Sequence, residues 1–509
     1  MRIGIDVGGT NTDAVLMDGD RVVAAVKAPT AENITDGITQ ALRRLREQRA
    51  FGDLTGVMVG TTHFINALVE HRRLARTGAV RLGLPATSAL PPMVEWPESL
   101  VSAIGGRRYM CHGGHEFDGR VISELDDDEL KAVAADLAEH DVRSVAITSV
   151  FSPVTDEFER RTAQILTEHL PDLQVSLSHG IGRVGLLERE NATIINAALR
   201  PLAEQVVDGL ESAVRAEGIG APLFLSQNDG TVMDVDYARR YPVATFASGA
   251  TNSMRGAALL SGHETCVVVD IGGTTTDVGM LRGGYPRESS TTITVAGVRT
   301  NFRMPDVLSL GIGGGSHVHE GAAPTVGPTS VGYRITAEAR VFGGTTLTAT
   351  DLAVAAGLAD VGDASRVASL DPSLVAAGLE YVRAEILDAV DRMRTAADPL
   401  PVVAVGGGSI LLPDDAGGTL IERPEYNAFA NAVGAAIGQV SGEVDRVYAV
   451  GPGDRGTVLD QARQEAVERA IAAGAAPSTV EIVEVDEIPL AYLPGNATRV
   501  HVKAVGPLR

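Results

Sequence analysis

The stretch Ile3 to Met17, IGIDVGGTNTDAVLM, returns as Val267 to Leu281, VVVDIGGTTTDVGML, and the two copies align without a gap. Asp6 falls on Asp270, Gly8-Gly9-Thr10 on Gly272-Gly273-Thr274, Thr12 on Thr276 and Asp13 on Asp277. Each copy is an apolar, β-branched run ending in Asp, a Gly-Gly-Thr turn and a second apolar run, which predicts a β-hairpin. A phosphate-binding P-loop or dinucleotide fingerprint places a helix directly after its glycines, whereas Ala14 to Met17 and Arg21 to Val26 read as two further strands. What remains is a glycine turn whose free N–H groups can form an anion nest beside threonine hydroxyls. An Asp beside a phosphate needs a cation between them, so Asp6 and Asp270 point to Mg²⁺. One copy alone reads equally well as an ordinary hairpin whose glycines supply positive φ. Two copies half a chain apart imply two halves facing one site.

A chain of 509 residues exceeds a single core and should form two or three domains. Its formal charge of −22 argues against nucleic acid or an anionic membrane as partner. Two cysteines, Cys111 and Cys266, make no disulfide framework. The first residues already read as a core strand, and no apolar run approaches the roughly 20 residues of a membrane span. The expectation is a cytoplasmic protein.

Beyond the opening strands, Asn33 to Gln48 reads as a helix capped by Asn33 or Thr35, with Ile34, Ile38, Leu42 and Leu45 on one face. The strand Val57 to Val59 runs into Gly60-Thr61-Thr62-His63, a third small-residue turn, which a helix follows. Its N–H groups and His63 are placed to meet a substrate, the alternative being a capping or packing histidine. Leu84 to Trp96 is Pro-rich and reads as a loop or domain linker. Cys111 to Glu116, CHGGHE, has metal-ligand residue types but no second pair at finger spacing, which favours a polar loop. Helix 127–140, strand 142–151, helix 155–170 and strand 174–178 alternate as an α/β unit. A long helix opens at Gly185, with Pro201 expected to kink it. Its Glu188-Arg189-Glu190 start is a solvated helix end, unless it points into a cleft, where Glu190 becomes a candidate base.

The second half opens with strand Leu223 to Ser226, the turn Asn228-Asp229-Gly230 and a small-residue segment, Ser248 to Gly262, suited to very close packing. Past the second hairpin lie two glycine runs, Leu310 to Ser316 and Ala404 to Ser409, where a flat ligand or phosphate can approach the backbone unless the run is simply a flexible turn. His317 and His319, at i, i+2 spacing, share one side of an extended chain and offer a weak metal pair. A helix-like segment from Asn427 to Ser441 leads to a last α/β unit ending in strand 499–504.

Two D-x-G-G-T hairpins with a late G-G-G-S after a strand resemble the phosphate 1, phosphate 2 and adenosine motifs of the actin, hexokinase and Hsp70 superfamily. DVGGTNTDAVLM, GTTHFINALVE, ERENATIINAALRPL, SQNDGTVM and VDIGGTTTDVGML, in that order, are similar to the A-type subunit, short form, of the hydantoinase/oxoprolinase family. The resemblance implies an α/β fold of duplicated ribonuclease H-like domains flanking an ATP cleft, divided as 1–195 and 196–509. It implies ATP-dependent opening of a cyclic amide such as hydantoin, N-methylhydantoin or 5-oxoproline through phosphorylation of the carbonyl oxygen, with ATP and Mg²⁺ as cofactors. Asp6 and Asp270 would hold the metal. Gly8, Gly9, Thr10, Asn11 and Thr12, with Gly272, Gly273, Thr274 and Thr275, would cradle the phosphates, and Gly406, Gly407, Gly408 and Ser409 would face the adenosine. Asp13, Asp277, His63 and Glu190 are the catalytic candidates, Asp13 or Asp277 orienting an oxygen nucleophile or water. The adenosine segment is where short and long family members differ. A B-type partner subunit is expected, and a homo-oligomer is left open. Two other functions share these motifs: a small-molecule kinase or ketone carboxylase component, and a non-catalytic ATP-binding switch.

Overall fold

The computed structural model describes the chain except residues 9–10, 30–33, 290–291, 322, 395–399, 417, 452 and 491–495. Both copies of the repeated stretch are hairpins. Arg2–Val7 pairs antiparallel with Asn11–Asp18, placing Asp6 opposite Asp13, and Cys266–Ile271 pairs with Thr276–Arg282, placing Asp270 opposite Asp277. Arg21–Pro29 continues the first hairpin, and Val307–Leu310 holds the same place beside the second. On its other side each first strand takes a parallel neighbour, Gly56–Thr61 or Val402–Val405, and these in turn pair parallel with Leu223–Ser226 and Thr419–Glu422. Three antiparallel strands and two parallel ones in the same order give the duplicated ribonuclease H-like fold. The β-branched run Val267-Val268-Val269 is fully buried, as a strand covered on both faces requires.

The first sheet grows to nine strands by adding Val232–Asp234, Val440–Ala449, Ala497–Gly506 and Glu481–Pro489, so the end of the chain completes the sheet begun at its start. A separate parallel sheet of Arg107–His112, Thr77–Leu84, Ser144–Ser149 and Gln174–Leu177 carries the α/β unit. The Pro-rich stretch 84–96 therefore joins strands within one sheet and is a loop of that unit. Helix Ile34–Gln48 buries Ile38, Leu42 and Leu45 on the expected face; its proposed cap Asn33 lies outside the described residues, and Thr35 is inside the helix. Helix Leu186–Ala216 runs unbroken past Pro201 and packs on both Ser144–Ser149 and helix Ile34–Gln48, joining the two sheets. The division at 195/196 falls within it.

Two helices of small residues lie between the halves. Ser248–Ser261 and Ala430–Ala436 cross at backbone contact: a Cβ on Gly256 would sit 1.9 Å from the Ala430 carbonyl oxygen, and one on Gly434 1.8 Å from that of Asn252. Ala430–Ala436 also rests on the first strand, where a Cβ on Gly4 would lie 2.0 Å from the Ala432 carbonyl oxygen. The expected helix to Ser441 stops at Ala436, because Val440 and Ser441 already belong to strand Val440–Ala449, whose β-branched residues the sheet takes up. No helix among the described residues is long and apolar enough to cross a membrane.

Candidate active site

The crossing helices bring the two hairpins to one cleft. Asn431 on the second small-residue helix favours the charged forms of both Asp6 and Asp270, and Ser253 on the first favours that of Asp270. Each aspartate has a glycine beside it, Gly60 on the parallel strand Gly56–Thr61 and Gly406 directly after Val402–Val405. A Cβ on Gly60 would stand 2.9 Å from Asp6 Oδ1 and 2.4 Å from Asn252 Nδ2, and one on Gly406 would stand 2.4 Å from Asp270 Oδ1. Only glycine leaves room for the carboxylates to face the cleft.

Burial raises the pKa of Asp6 and of Asp270 to about 7, helped by the charge of Asp13 and of Asp270 on Asp6, and by Asp277 on Asp270. Asp13 and Asp277 are raised as well, again mainly by burial. Four carboxylates that resist ionising together form a site short of positive charge. Lys27 supplies some of it. Its Nζ donates to Asp13 Oδ2 at 2.6 Å and to the Ala428 carbonyl at 2.9 Å, stands 4.7 Å from the centre of the Phe429 ring, and stabilises the charged forms of both Asp6 and Asp270. Asp277 accepts from the Ser309 hydroxyl at 2.5 Å.

The second loop is oriented by the first glycine run. Gly314 N–H donates to the Gly272 carbonyl at 3.0 Å, Gly315 N–H to the Gly273 carbonyl at 2.7 Å, and Thr276 Oγ1 to the Ile312 carbonyl at 2.6 Å. A trans peptide points its N–H opposite to its C=O, so the Gly273 and Thr274 N–H groups face away from this run. The glycines at 313–315 thus make room for the loop backbone itself: a Cβ on Gly313 would lie 2.6 Å from Thr274 N. Thr274, Thr275 and Asn11 are exposed, whereas Thr12 is buried with its hydroxyl near Gly37 of the first helix. Gly9 and Thr10 lie outside the described residues; around them Gly8 N–H donates to the Asn11 carbonyl at 3.0 Å, as Gly272 does to Thr275 at 2.9 Å. The second glycine run rests on the same hairpin, with Gly408 N–H on the Ile271 carbonyl at 2.7 Å and Ser409 buried.

His63 opens helix His63–Val69 two residues beyond Thr61, which pairs with Val7. Its Nε2 is 3.3 Å from Arg73, and burial followed by that guanidinium lowers its pKa, which keeps the ring neutral. Glu190 neither joins the aspartates nor meets solvent. It is buried in an ion pair with Arg81, whose Nε donates to it at 2.6 Å, while burial raises its pKa. Arg189 is buried too, donating to the Val184 and Ser149 carbonyls at 2.7 Å each. The charged start of this helix is therefore an interior brace.

The expected polar loop is only partly one, since Cys111 and His112 end strand Arg107–His112 and His115 is buried with its ring centre 4.3 Å from that of Phe158; neither this stretch nor the pair His317 and His319, with ring centres 6.4 Å apart, belongs to a metal-ligating group among the described residues. Lys27, Asn252, Ser253 and Asn431 escaped sequence reasoning, their only signal being the small-residue segments that carry three of them. Backbone N–H groups turned away from the glycine run, beside four carboxylates and one lysine, suit an anion bound through a divalent cation.

Residues 2–170 match the model of the hydantoinase/oxoprolinase N-terminal region and residues 189–393 that of hydantoinase/oxoprolinase. The chain is 28% identical over 394 residues to the caprolactamase subunit alpha of Pseudomonas jessenii, covering 70% of this chain and 55% of that protein. It is 25% identical over 400 residues to the acetophenone carboxylase gamma subunit of Aromatoleum aromaticum, covering 70% and 53%. The chain thus spans about half the length of these curated relatives. Among solved structures, the ATP-dependent caprolactamase from Pseudomonas jessenii superposes with a TM-score of 0.80 at 20% identity, and a nucleotide-free acetone carboxylase with 0.70 at 17%; both cover 100% of this chain and 88% of theirs.

Proposed function

The chain belongs to the hydantoinase/oxoprolinase family, and from there we propose that it uses ATP to open a cyclic amide of the hydantoin, N-methylhydantoin or 5-oxoproline type, working with a B-type partner subunit. The observation that carries this reading is the pairing of Asp6 and Asp270, raised to about 7, at the ends of two like hairpins sharing one cleft. Their oxygen donors and shortage of positive charge fit Mg²⁺, which when bound would screen phosphate charge and let both carboxylates ionise.

An amide is a poor electrophile, and phosphorylating its oxygen makes the ring carbon open to water. Such a transfer asks for positioning and charge neutralisation rather than covalent catalysis. The N–H groups of Gly273 and Thr274 bind phosphate oxygens, and the Gly8–Thr12 turn cradles the phosphates from the first hairpin. Lys27 adds a positive charge beside them. Asp13 and Asp277, fixed by Lys27 and Ser309, orient the attacking oxygen. Gly406 to Ser409, against Asp270 and Ile271, receives the adenosine. Neutral His63, on the helix that follows the strand beside Asp6, is a hydrogen-bonding group for the acceptor, and Glu190 serves through Arg81 as a brace.

The likeness to a carboxylase subunit favours one second reading, in which the same site phosphorylates a ketone enolate. The test is ADP release by the purified chain with Mg²⁺ and hydantoins, 5-oxoproline, lactams or ketones, with product analysis and an Asp270→Ala control. Release stimulated by a cyclic amide, with ring-opened product and loss in the control, supports the proposal. Stimulation by ketones alone selects the second reading. Silence in the presence of bound ATP calls for the partner subunit, and absence of ATP binding overturns both.

A further inference from the structure

We propose that a second cleft, beside the hairpin site at the ends of the same parallel strands, binds the cyclic amide, and that it takes the uncharged members of that class. The class of ligand rests on the reading above. The cleft, of about 250 Å³, is lined by the turns at 179–183, 227–229 and 301–303 and by Tyr237 and Tyr241. Drug-sized ligands occupy roughly 300–1,000 Å³, so this space suits one small ring and not a nucleotide.

Its place follows from strand order. Arg2–Val7, Gly56–Thr61 and Leu223–Ser226 run parallel side by side, with Val7 opposite Thr61 and Val59 opposite Leu225. Gln227 therefore leaves the sheet at the level of Val7, about 10 Å away across two strand spacings. Helix Ser248–Ser261 lies over both strand ends: Ser248 Oγ donates to the Thr61 carbonyl at 3.2 Å, Thr251 Oγ1 to that of Gln227 at 3.1 Å, and Asn252 reaches Gly60 beside Asp6. A further wall comes from the other half. Asn301 to Arg303 lie between Tyr285–Pro286 and Val307–Leu310, two strands that both pair with Thr276–Arg282 of the second hairpin. In α/β folds the crevice outside the carboxyl ends of parallel strands is where ligands bind.

The lining selects a polar ring without net charge. Three guanidinium groups, Arg183, Arg303 and Arg469, line the cleft with three carboxylates, Asp229, Glu443 and Asp445. Their charges are engaged within the protein: Arg183 by Glu288 at 3.0 Å, Arg303 by Asp445 at 3.1 Å and by Glu443, Arg469 by Glu465 at 2.6 Å, and Asp229 by Lys503 at 2.8 Å. His179 is held likewise by Glu159 at 2.7 Å. A ligand carboxylate would lose its water here without gaining an unengaged cation. Tyr237 is 37% exposed, yet burial raises the pKa of its hydroxyl, as befits a side chain standing in a recess. Its ring centre is 4.6 Å from that of Tyr241, and the pair forms an aromatic wall. Among the described residues the Tyr241 hydroxyl, Arg183 Nη1 and Gln227 Oε1 have no hydrogen-bond partner, leaving two donors and one acceptor for the C=O and N–H of an amide. A Cβ on Gly180 would stand 2.9 Å from the Tyr241 hydroxyl, so glycine there keeps that group open.

Calorimetric titration of the full chain with hydantoin, N-methylhydantoin and 5-oxoproline, each alone and with Mg²⁺ and a non-hydrolysable ATP analogue, tests the site without requiring turnover. We expect one hydantoin or N-methylhydantoin per chain, with 5-oxoproline at least about tenfold weaker. Hydantoin affinity should fall about threefold to tenfold in Tyr241→Phe and in Tyr237→Ala, with affinity for the ATP analogue unchanged in both. Tyr241→Phe removes only an unpartnered hydroxyl and Tyr237 is partly exposed, so both variants report binding without a folding defect. Equal affinity for 5-oxoproline overturns the choice of an uncharged ligand. Amide binding absent in both conditions, or undiminished in both variants, overturns the site. An ATP analogue that fails to bind, while hydantoin binds and depends on Tyr241, overturns the nucleotide reading instead and leaves this site standing.

Discussion

A carboxylate in a half-buried cleft is costly unless a positive charge answers it, which makes Lys27 the residue whose removal is most informative. Lys27→Met would leave Asp13 without its partner and push the Asp6 and Asp270 pKa values further up, since Lys27 lowers both. ADP release by the variant should fall by about tenfold to a hundredfold, and a variant as active as the parent would remove Lys27 from the site. Away from the cleft, Glu159 is buried yet held below its ordinary value of 4.5, because His179, Ser178 and Arg189 outweigh burial. A depressed acid pKa contributes stability above the unfolded-state value and loses it as pH falls through the folded one. The melting temperature should therefore drop on acidification below about 4.5, and Glu159→Gln should flatten that drop; an unchanged slope would deny the linkage. Asp6 and Asp270 were legible because the motif around them is local and written twice. Lys27 was not, since its anchoring contact with Ala428 spans 401 residues of chain.

Among the elements, the two small-residue helices set the distance between the hairpins. Gly434→Ala would drive a methyl group into the Asn252 carbonyl, and Gly256→Ala into that of Ala430, so each should cost about 1–3 kcal/mol in a denaturant titration. Gly406→Ala combines a φ of 83° with a methyl 2.4 Å from Asp270 Oδ1 and should weaken ATP binding, whereas Gly407→Ala meets nothing within 4 Å and should be neutral in stability. Equal effects at 406 and 407 would contradict the assigned packing. Both hairpins, the amphipathic helix Ile34–Gln48 and the long helix after Gly185 could be read from pattern, because their signals lie within one element. The glycines at 313–315 could not, since nothing local tells a glycine that admits a ligand from one that admits another loop. The Glu188-Arg189-Glu190 cluster misled for the same reason: Arg81, its counter-charge, is distant in sequence.

At the scale of the whole molecule, the central claim is that two halves of the chain build one nucleotide site. The duplicated order of strands was foreshadowed by the duplicated motif, but the return of residues 440–506 to the first sheet was not, because strand pairing across the chain leaves no periodic trace. The decisive measurement is calorimetric titration of ATP into the full chain, with and without Mg²⁺, beside Asp6→Ala and Asp270→Ala. One ATP per chain, bound in the presence of Mg²⁺ and weakened at least about tenfold by either substitution, is the expected result. Full affinity in either variant would mean that one hairpin alone holds the nucleotide, and the shared site would be contradicted.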